Sequence, residues 1–265
     1  MNGESRKNIN RRSMKNAYIQ GGTANYGQVA GILMTDSSIP RIPGDPGHAE
    51  TFNFPVRYRV VKDFPFSDLI DIKKENLVKV IKAAIELQDE GVNFIAADCG
   101  LFSPFQRDIA NVLEIPFIGS SLSLIPLIQT FLPYKKKIGL ITGDSKILKE
   151  EHLIAVGANP RNLVIAGLGN CDEFQRVVVN RGNVLEPEAL KVCVIDATKA
   201  LFKSTNDPIG AIILECTNLI SFRHNIQTMF KTPVFDMVSL IEFFASGYRL
   251  KHFKSNFLYT NRKPL

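Results

Sequence analysis

The sequence predicts an α/β protein of two pseudo-symmetric, three-layer lobes on mainly parallel sheets, with the active-site cleft between them. Three pairs of landmarks, recurring in the same order, point to this. The stretch Asn93–Gly100 is an apolar run closing on Cys99-Gly100, and Gly210–Asn218 repeats that grammar around Cys216. Cys99 precedes Pro116 by seventeen positions, as Cys216 precedes Pro233, and each proline opens a short apolar run. Upstream, Gly31–Ser37 and Gly139–Ser145 both end in Asp-Ser at the same offset. Repeated landmarks of this kind indicate internal duplication. Each half then presents one cysteine at the carboxyl end of a strand.

The elements follow in chain order. Gln28 to Met34 reads as a first strand, followed by Thr35-Asp36-Ser37-Ser38. Pro40 to His48 holds three prolines and two glycines, which makes it a loop. A loop directly after a strand is a common place for ligand contacts. Val56–Val61 alternates as an edge strand. Glu75–Glu90 carries Leu77, Val78, Ile81, Ala84, Ile85 and Leu87 on a helical period, stopped by Gly91. Ser103-Pro104-Phe105-Gln106 fits a capping box with proline at the first helical position. A helical stretch follows Ser121, interrupted or started at Pro126. The second half gives a strand at Lys137–Thr142, a helix over Lys146–Val156 and a strand at Leu163–Ala166. A helix over Glu188–Phe202, the Cys216 strand and a helix to about Phe230 come next. The Pro233 strand and a helix over Val238–Tyr248 close the pattern. Strands alternating with amphipathic helices mean parallel sheets covered on both faces.

Composition sets the outer limits. With 45% hydrophobic and 22% charged residues over 265 positions, the chain reads as a soluble globular protein. No apolar run reaches the roughly 18 residues of a membrane span. The net charge of +6 is concentrated in a basic leader over 1–17, where Arg6, Lys7, Arg11, Arg12 and Lys15 face Glu4 alone. The remainder is near neutral, which argues against nucleic acid and membrane partners. Cys99, Cys171, Cys193 and Cys216 form no C-x-x-C pair and have no histidine at ligand spacing, so no metal is expected. Without a secretory signal, a cytoplasmic protein with free thiols is the default. Cys193 reads as core, Cys171 as a loop thiol, and Glu150-Glu151-His152 as a solvated helix face.

Two lobes with facing strand ends would bring Cys99 and Cys216 to one small molecule from opposite sides. A thiol and a thiolate can exchange the roles of acid and base, as inversion at a carbon requires. Asp98 and Glu215 precede the cysteines and should point to the opposite face of a strand. Asp36 and Asp144 are then the better groups to orient or deprotonate a thiol, although both also suit turn capping. Arg41 and His48 are loop side chains with a conceivable role toward substrate.

These residues resemble the aspartate/glutamate/hydantoin racemase superfamily. The likeness covers about Gln28 to Tyr248 and rests on Gly31–Ser37, Cys99, Lys137–Thr142 and Glu215-Cys216-Thr217. It implies a cofactor-independent enzyme whose last helix crosses back to the first lobe. The division is then 18–120 plus 237–265 for one lobe and 121–236 for the other. It implies a racemase acting on an amino acid or hydantoin-type compound, with Cys99 and Cys216 as acid and base. Ser37 and Thr217 would hold a carboxylate, with Gly100, Ser121, Thr142 and Asn218 completing the substrate contacts; Arg41, on a loop outside the likeness, would meet a second carboxylate if that loop folds inward. Two positions depart from the amino-acid racemases: Gly100-Leu101 replaces Asn-Thr after the first cysteine, and Asn218 replaces the histidine of glutamate racemases. A maleate isomerase, an arylmalonate decarboxylase or a non-catalytic anion binder are the alternatives. The expected partner is a small carboxylate or amino-acid-like molecule, with a homo-oligomer left open.

Overall fold

A computed structural model describes Gly22 and residues 26–250. The basic leader over 1–17 and the chain beyond Leu250 lie outside the described residues. In the first lobe β1 (Ala30–Thr35) is flanked by β2 (Val56–Val61) and β3 (Phe94–Ala97), with β4 (Phe117–Ile118) beyond β3. In the second, β5 (Lys137–Thr142) is flanked by β6 (Leu163–Gly167) and β7 (Ile209–Leu214), with β8 (Val234–Phe235) outside β7. All pairings are parallel. The duplication extends to register: Gly31 pairs with Ile95, and Gly139 with Ile212.

The helices that cover the sheets are α1 (Phe66–Asp71), α2 (Leu77–Asp89) and α3 (Gln106–Ala110), then α4 (Leu124–Phe131) and α5 (Glu150–Ile154). They are followed by α6 (Asp172–Phe174), α7 (Pro187–Lys203), α8 (Arg223–Phe230) and α9 (Met237–Tyr248). Equivalent helices sit down on equivalent glycines. A Cβ on Gly31 would lie 3.1 Å from Leu87 of α2, and one on Gly139 would lie 2.8 Å from Leu201 of α7. Leaving out that carbon lets each helix pack close to its sheet. The inner faces of both sheets share one buried cluster, in which Ile32, Phe94, Ile138 and Ile213 meet Met237 and Ile241 of α9. The Phe94 ring also packs against Phe244 and Tyr248, with centroids 5.8 and 6.0 Å away.

Several expected elements differ locally. The capping box at Ser103 does not form. A 3₁₀ helix already runs from Gly100 to Phe105, and the Ser103 hydroxyl is buried without a partner among the described residues. Gln106 instead clamps the end of β4, donating to the Phe117 carbonyl and accepting from the Gly119 amide, both at 2.7 Å. The helix expected over 146–156 contracts to α5. The Asp144 carboxylate accepts the Lys146 amide at 2.9 Å, and the Asp144 carbonyl takes Ile147, so a turn occupies this stretch. His152, read as solvated, is fully buried, and its Nδ1 accepts the Lys149 amide at 3.1 Å. Burial lowers its pKa. Pro126 fits α4 because it lies in the first turn, where no intrahelical donor is needed.

Candidate active site

Strands β3 and β7 end one residue before Asp98 and Glu215. Asp98 donates its amide to the Leu33 carbonyl and Glu215 to that of Ile141, both at 2.9 Å. The chain then turns at each cysteine into a short 3₁₀ helix, Gly100–Phe105 or Thr217–Phe222. Strand alternation therefore lapses where it was used to turn these carboxylates away. Asp98, Cys99, Glu215 and Cys216 all line one cavity between the lobes. That corrects the expectation for the two acids. Their settings are again equivalent. The Thr35 amide donates to Asp98 at 3.0 Å, and the Gly143 amide donates to Glu215. The Thr35 hydroxyl adds a bond to Asp98 at 3.0 Å, and the Thr142 hydroxyl one to Glu215 at 2.7 Å.

The lobes touch beside the cysteines. Gly100 lies flat against Glu215: an added Cβ would overlap the carboxylate and sit 2.6 Å from the Glu215 carbonyl. No side chain fits there, so Gly100 serves close approach and does not itself line the cavity. Ser121 is fully buried and donates to the Leu214 carbonyl at 2.9 Å, tying the segment after β4 to the end of β7. Thr217 donates its hydroxyl to the Asp98 carbonyl at 2.6 Å.

The 40–48 loop folds inward over the strand ends. Arg41 ion-pairs with Asp45 at 2.7 Å and with Asp98 at 2.6 Å. Asp45 accepts from the Asn218 amide side chain at 3.1 Å, and the Cys216 thiol donates to Asn218 Oδ1 at 3.7 Å. A chain of contacts thus runs from Arg41 through Asp45 and Asn218 to Cys216. His48 does not line the cavity, and its Nδ1 accepts the Glu50 amide at 3.2 Å. Ser37 and Thr142 line the cavity; Ser37 accepts the Ile39 amide at 3.2 Å. Asp36 faces solvent, 46% exposed and 3.4 Å from Lys62. Asp144 lines the cavity wall while capping its own turn.

Residues that the sequence reading did not single out form the cover. Helix α6 and the π-helical turn Gln175–Val179 bring Phe174, Val178 and Val179 onto the cavity. Beyond them Arg181, with φ 56°, reaches across the mouth. It donates to the Asp36 carbonyl at 3.1 Å and lies over the Phe66 ring, 5.9 Å from its centroid. The root of this cover is pinned by a disulfide between Cys171 and Cys193 of α7, with Cα atoms 5.9 Å apart. The expectation of four free thiols is corrected for this pair. Twenty-two residues and two elements separate them, so no local spacing announces the bond. Cys99 and Cys216 are free.

The electrostatics suppress ionisation at rest. Burial raises the Cys99 thiol well above its ordinary range, and the Glu215 and Asp98 charges add to it; the Leu101 amide opposes. Cys216 is also raised, by burial and then Glu215, but the Asn218 amide and Arg41 act the other way. Burial raises Glu215 against the Thr142 and Gly143 bonds. It raises Asp98 too, although Arg41 and Thr35 offset part of this. Burial would lower Arg41, yet Asp98 and Asp45 outweigh it and hold the guanidinium charged. No group of three or more His, Cys, Asp or Glu side chains among the described residues is arranged to hold a metal ion.

The two pseudo-symmetric α/β lobes on parallel sheets are the fold of solved racemases and decarboxylases, and the chain shares that fold. Allantoin racemase from Klebsiella pneumoniae superposes with a TM-score of 0.54 at 14% identity, over 84% of this chain and 88% of its own. Arylmalonate decarboxylase gives 0.52 at 14% identity, over 83% and 93%. No family model matches the sequence. Similarity in sequence leads elsewhere. A dimethylsulfoniopropionate lyase from Durusdinium sp. clade D is 28% identical over 226 residues, covering 82% of this chain and 74% of that protein. Dimethylsulfoniopropionate lyase 3 of Emiliania huxleyi is 28% identical over 222 residues, covering 79% of this chain and 57% of its own length. The chain therefore spans about three quarters of the first relative and little more than half of the second. These relatives correct the expected activity: they are named as lyases, so the reading as an amino-acid or hydantoin isomerase is withdrawn. Among the described residues no helix is long and apolar enough to cross a membrane.

Proposed function

We propose that the chain is a lyase that eliminates a neutral sulfide from a short sulfonium carboxylate of the dimethylsulfoniopropionate type. The observation that carries this reading is the likeness to several lyases of that name, joined to a cavity with a free cysteine from each lobe. Such a substrate has a carboxylate at one end of a three-carbon chain and a dimethylsulfonium at the other. A thiolate takes a proton from the carbon next to the carboxylate. The C–H electron pair becomes the carbon–carbon double bond, and the C–S bond breaks with its pair going to sulfur. A neutral substrate and an anionic base thus become acrylate, dimethyl sulfide and a neutral thiol, which resets by returning its proton to solvent.

Elimination needs one base. Cys216 is the better placed, because the Asn218 amide and Arg41 both favour its anion, and Asn218 Oδ1 orients its proton. Cys99 has only the Leu101 amide on its side, against Glu215 and Asp98. It forms the opposite wall. Ser37 and Arg181, at the mouth, keep N–H and O–H donors for the carboxylate. Phe66, Ile147, Val178 and Val179 supply apolar walls that exclude water. Headspace detection of dimethyl sulfide from purified protein and dimethylsulfoniopropionate tests the reading. A general base contributes about 10²- to 10⁴-fold, so Cys216→Ala should lose that much. Wild-type protein releasing no sulfide above the uncatalysed rate would end it.

A further inference from the structure

The two buried acids of the site are equivalent in sequence and in backbone setting, but not in charge. Asp98 has a counter-ion: Arg41 lies 2.6 Å from it. Glu215 has none among the described residues; its partners are the Thr142 hydroxyl and the Gly143 amide, which carry no charge. It is 3% exposed and lines the cavity. A buried carboxylate without a cation is costly and is ordinarily paired. Gly143, which binds Glu215, also supports Phe174, whose ring tip would lie 2.6 Å from a Cβ at Gly143. The Cys216 sulfur borders the same spot, 3.5 Å from that Cβ position. Glu215, Phe174 and Cys216 therefore all adjoin Gly143 and line one cavity, and a carboxylate and an aromatic ring in the same cavity are a setting that suits an organic cation.

We propose that Glu215 is the specificity residue that receives the substrate's sulfonium, held between its carboxylate and the Phe174 ring. This rests on the lyase reading and adds which group selects the cation. Glu215 is the missing half of an ion pair that the substrate completes. It also resolves a tension in the resting site. The Glu215 charge opposes thiolate formation at both cysteines; Asp98 adds to this at Cys99 and Asp45 at Cys216, where Arg41 acts the other way. A sulfonium docked on Glu215 cancels the charge that most opposes the base. The base is then released only when the leaving group is in place.

Calorimetry with two inert ligands of one shape tests this without turnover. The probes are the zwitterion 3-(trimethylammonio)propionate and its isostere 4,4-dimethylpentanoate, which keeps the carboxylate but has a neutral tert-butyl head. Wild-type protein should prefer the cationic ligand by about tenfold or more, the order of one charge-assisted contact in a dry site. Glu215→Gln, which keeps an oxygen for Thr142, should bring that ratio to about one and leave binding of the tert-butyl ligand within about twofold. Glu215→Asp should retain a preference. Equal weakening of both ligands by Glu215→Gln would make the residue structural and overturn the proposal. An absence of cation preference in wild-type protein would overturn it regardless of how the variant folds. Sulfide release is a separate readout. A cation preference that depends on Glu215, in a protein without lyase activity, would retire the lyase reading and leave this subsite standing.

Discussion

Thr217, the residue after the second cysteine, donates its hydroxyl at 2.6 Å to the carbonyl of Asp98, the residue before the first. One buried hydrogen bond thus fixes the two cysteine turns relative to each other across the lobes. Its removal leaves a buried carbonyl unsatisfied, a loss of about 1–3 kcal/mol. Thr217→Val should lower stability by that amount and cut turnover more than tenfold, since a small misplacement of a base costs about 10²-fold. Thr217→Ser, which keeps the donor, should restore most of both. Denaturant titration and turnover of the two variants check this, and a fully active Thr217→Val would show that the lobes are held by other contacts.

The second prediction concerns the resting thiols. Both are raised by burial and by neighbouring carboxylates, so the thiolate fraction at neutral pH is far below that of a free cysteine, which titrates near 8.5. Iodoacetamide should modify Cys99 and Cys216 more slowly than free cysteine at pH 7–8. The rate should climb only as pH passes above the ordinary thiol range, since a raised pKa moves the rise to higher pH. Mass spectrometry of peptides from a pH series reads this directly. Rapid alkylation at pH 7 would mean that the site favours thiolate on its own.

The disulfide supplies a third. Linking Cys171 to Cys193 closes a loop of 22 residues, and a crosslink of that span stabilises by about 3 kcal/mol. For a chain of this size about 1 kcal/mol moves Tm by roughly 2–4 °C. Cys193→Ala should therefore lower Tm by about 6–12 °C, and wild-type protein in dithiothreitol should fall to the same value. Turnover should decline with it, because Phe174 and Val178 are carried by the segment that the bond anchors. Scanning calorimetry with and without reductant decides; an unchanged Tm in dithiothreitol would remove the bond from the account.

Much of the architecture was legible because duplication leaves the same residues at the same offsets. Gly31 and Gly139, Cys99 and Cys216, and Pro116 and Pro233 mark equivalent strands, and the structure gives them equivalent registers. The acids beside the cysteines were visible but misdirected. Alternation along a strand turns Asp98 and Glu215 away, and that rule lapses because each strand stops one residue earlier. The cover was not legible: Phe174 and Arg181 reach the site through an irregular π-helical turn and a left-handed residue, and neither has a sequence period. His152 looked solvated beside two glutamates, yet the shortened α5 turns it inward. The reaction was least legible of all. A cysteine from each lobe serves inversion and elimination alike, and the correction of the expected activity comes from the relatives named as lyases.

The reaction proposed for this cavity is the breaking of a carbon–sulfur bond. The most direct measurement incubates the purified protein with dimethylsulfoniopropionate in D₂O, following acrylate by proton NMR and dimethyl sulfide in the headspace. The two products should appear in equal amounts, and Cys216→Ala should lower both by about 10²-fold or more, with a smaller loss for Cys99→Ala. Deuterium entering the carbon beside the carboxylate of intact substrate, with no sulfide released, would show proton transfer without elimination and contradict it.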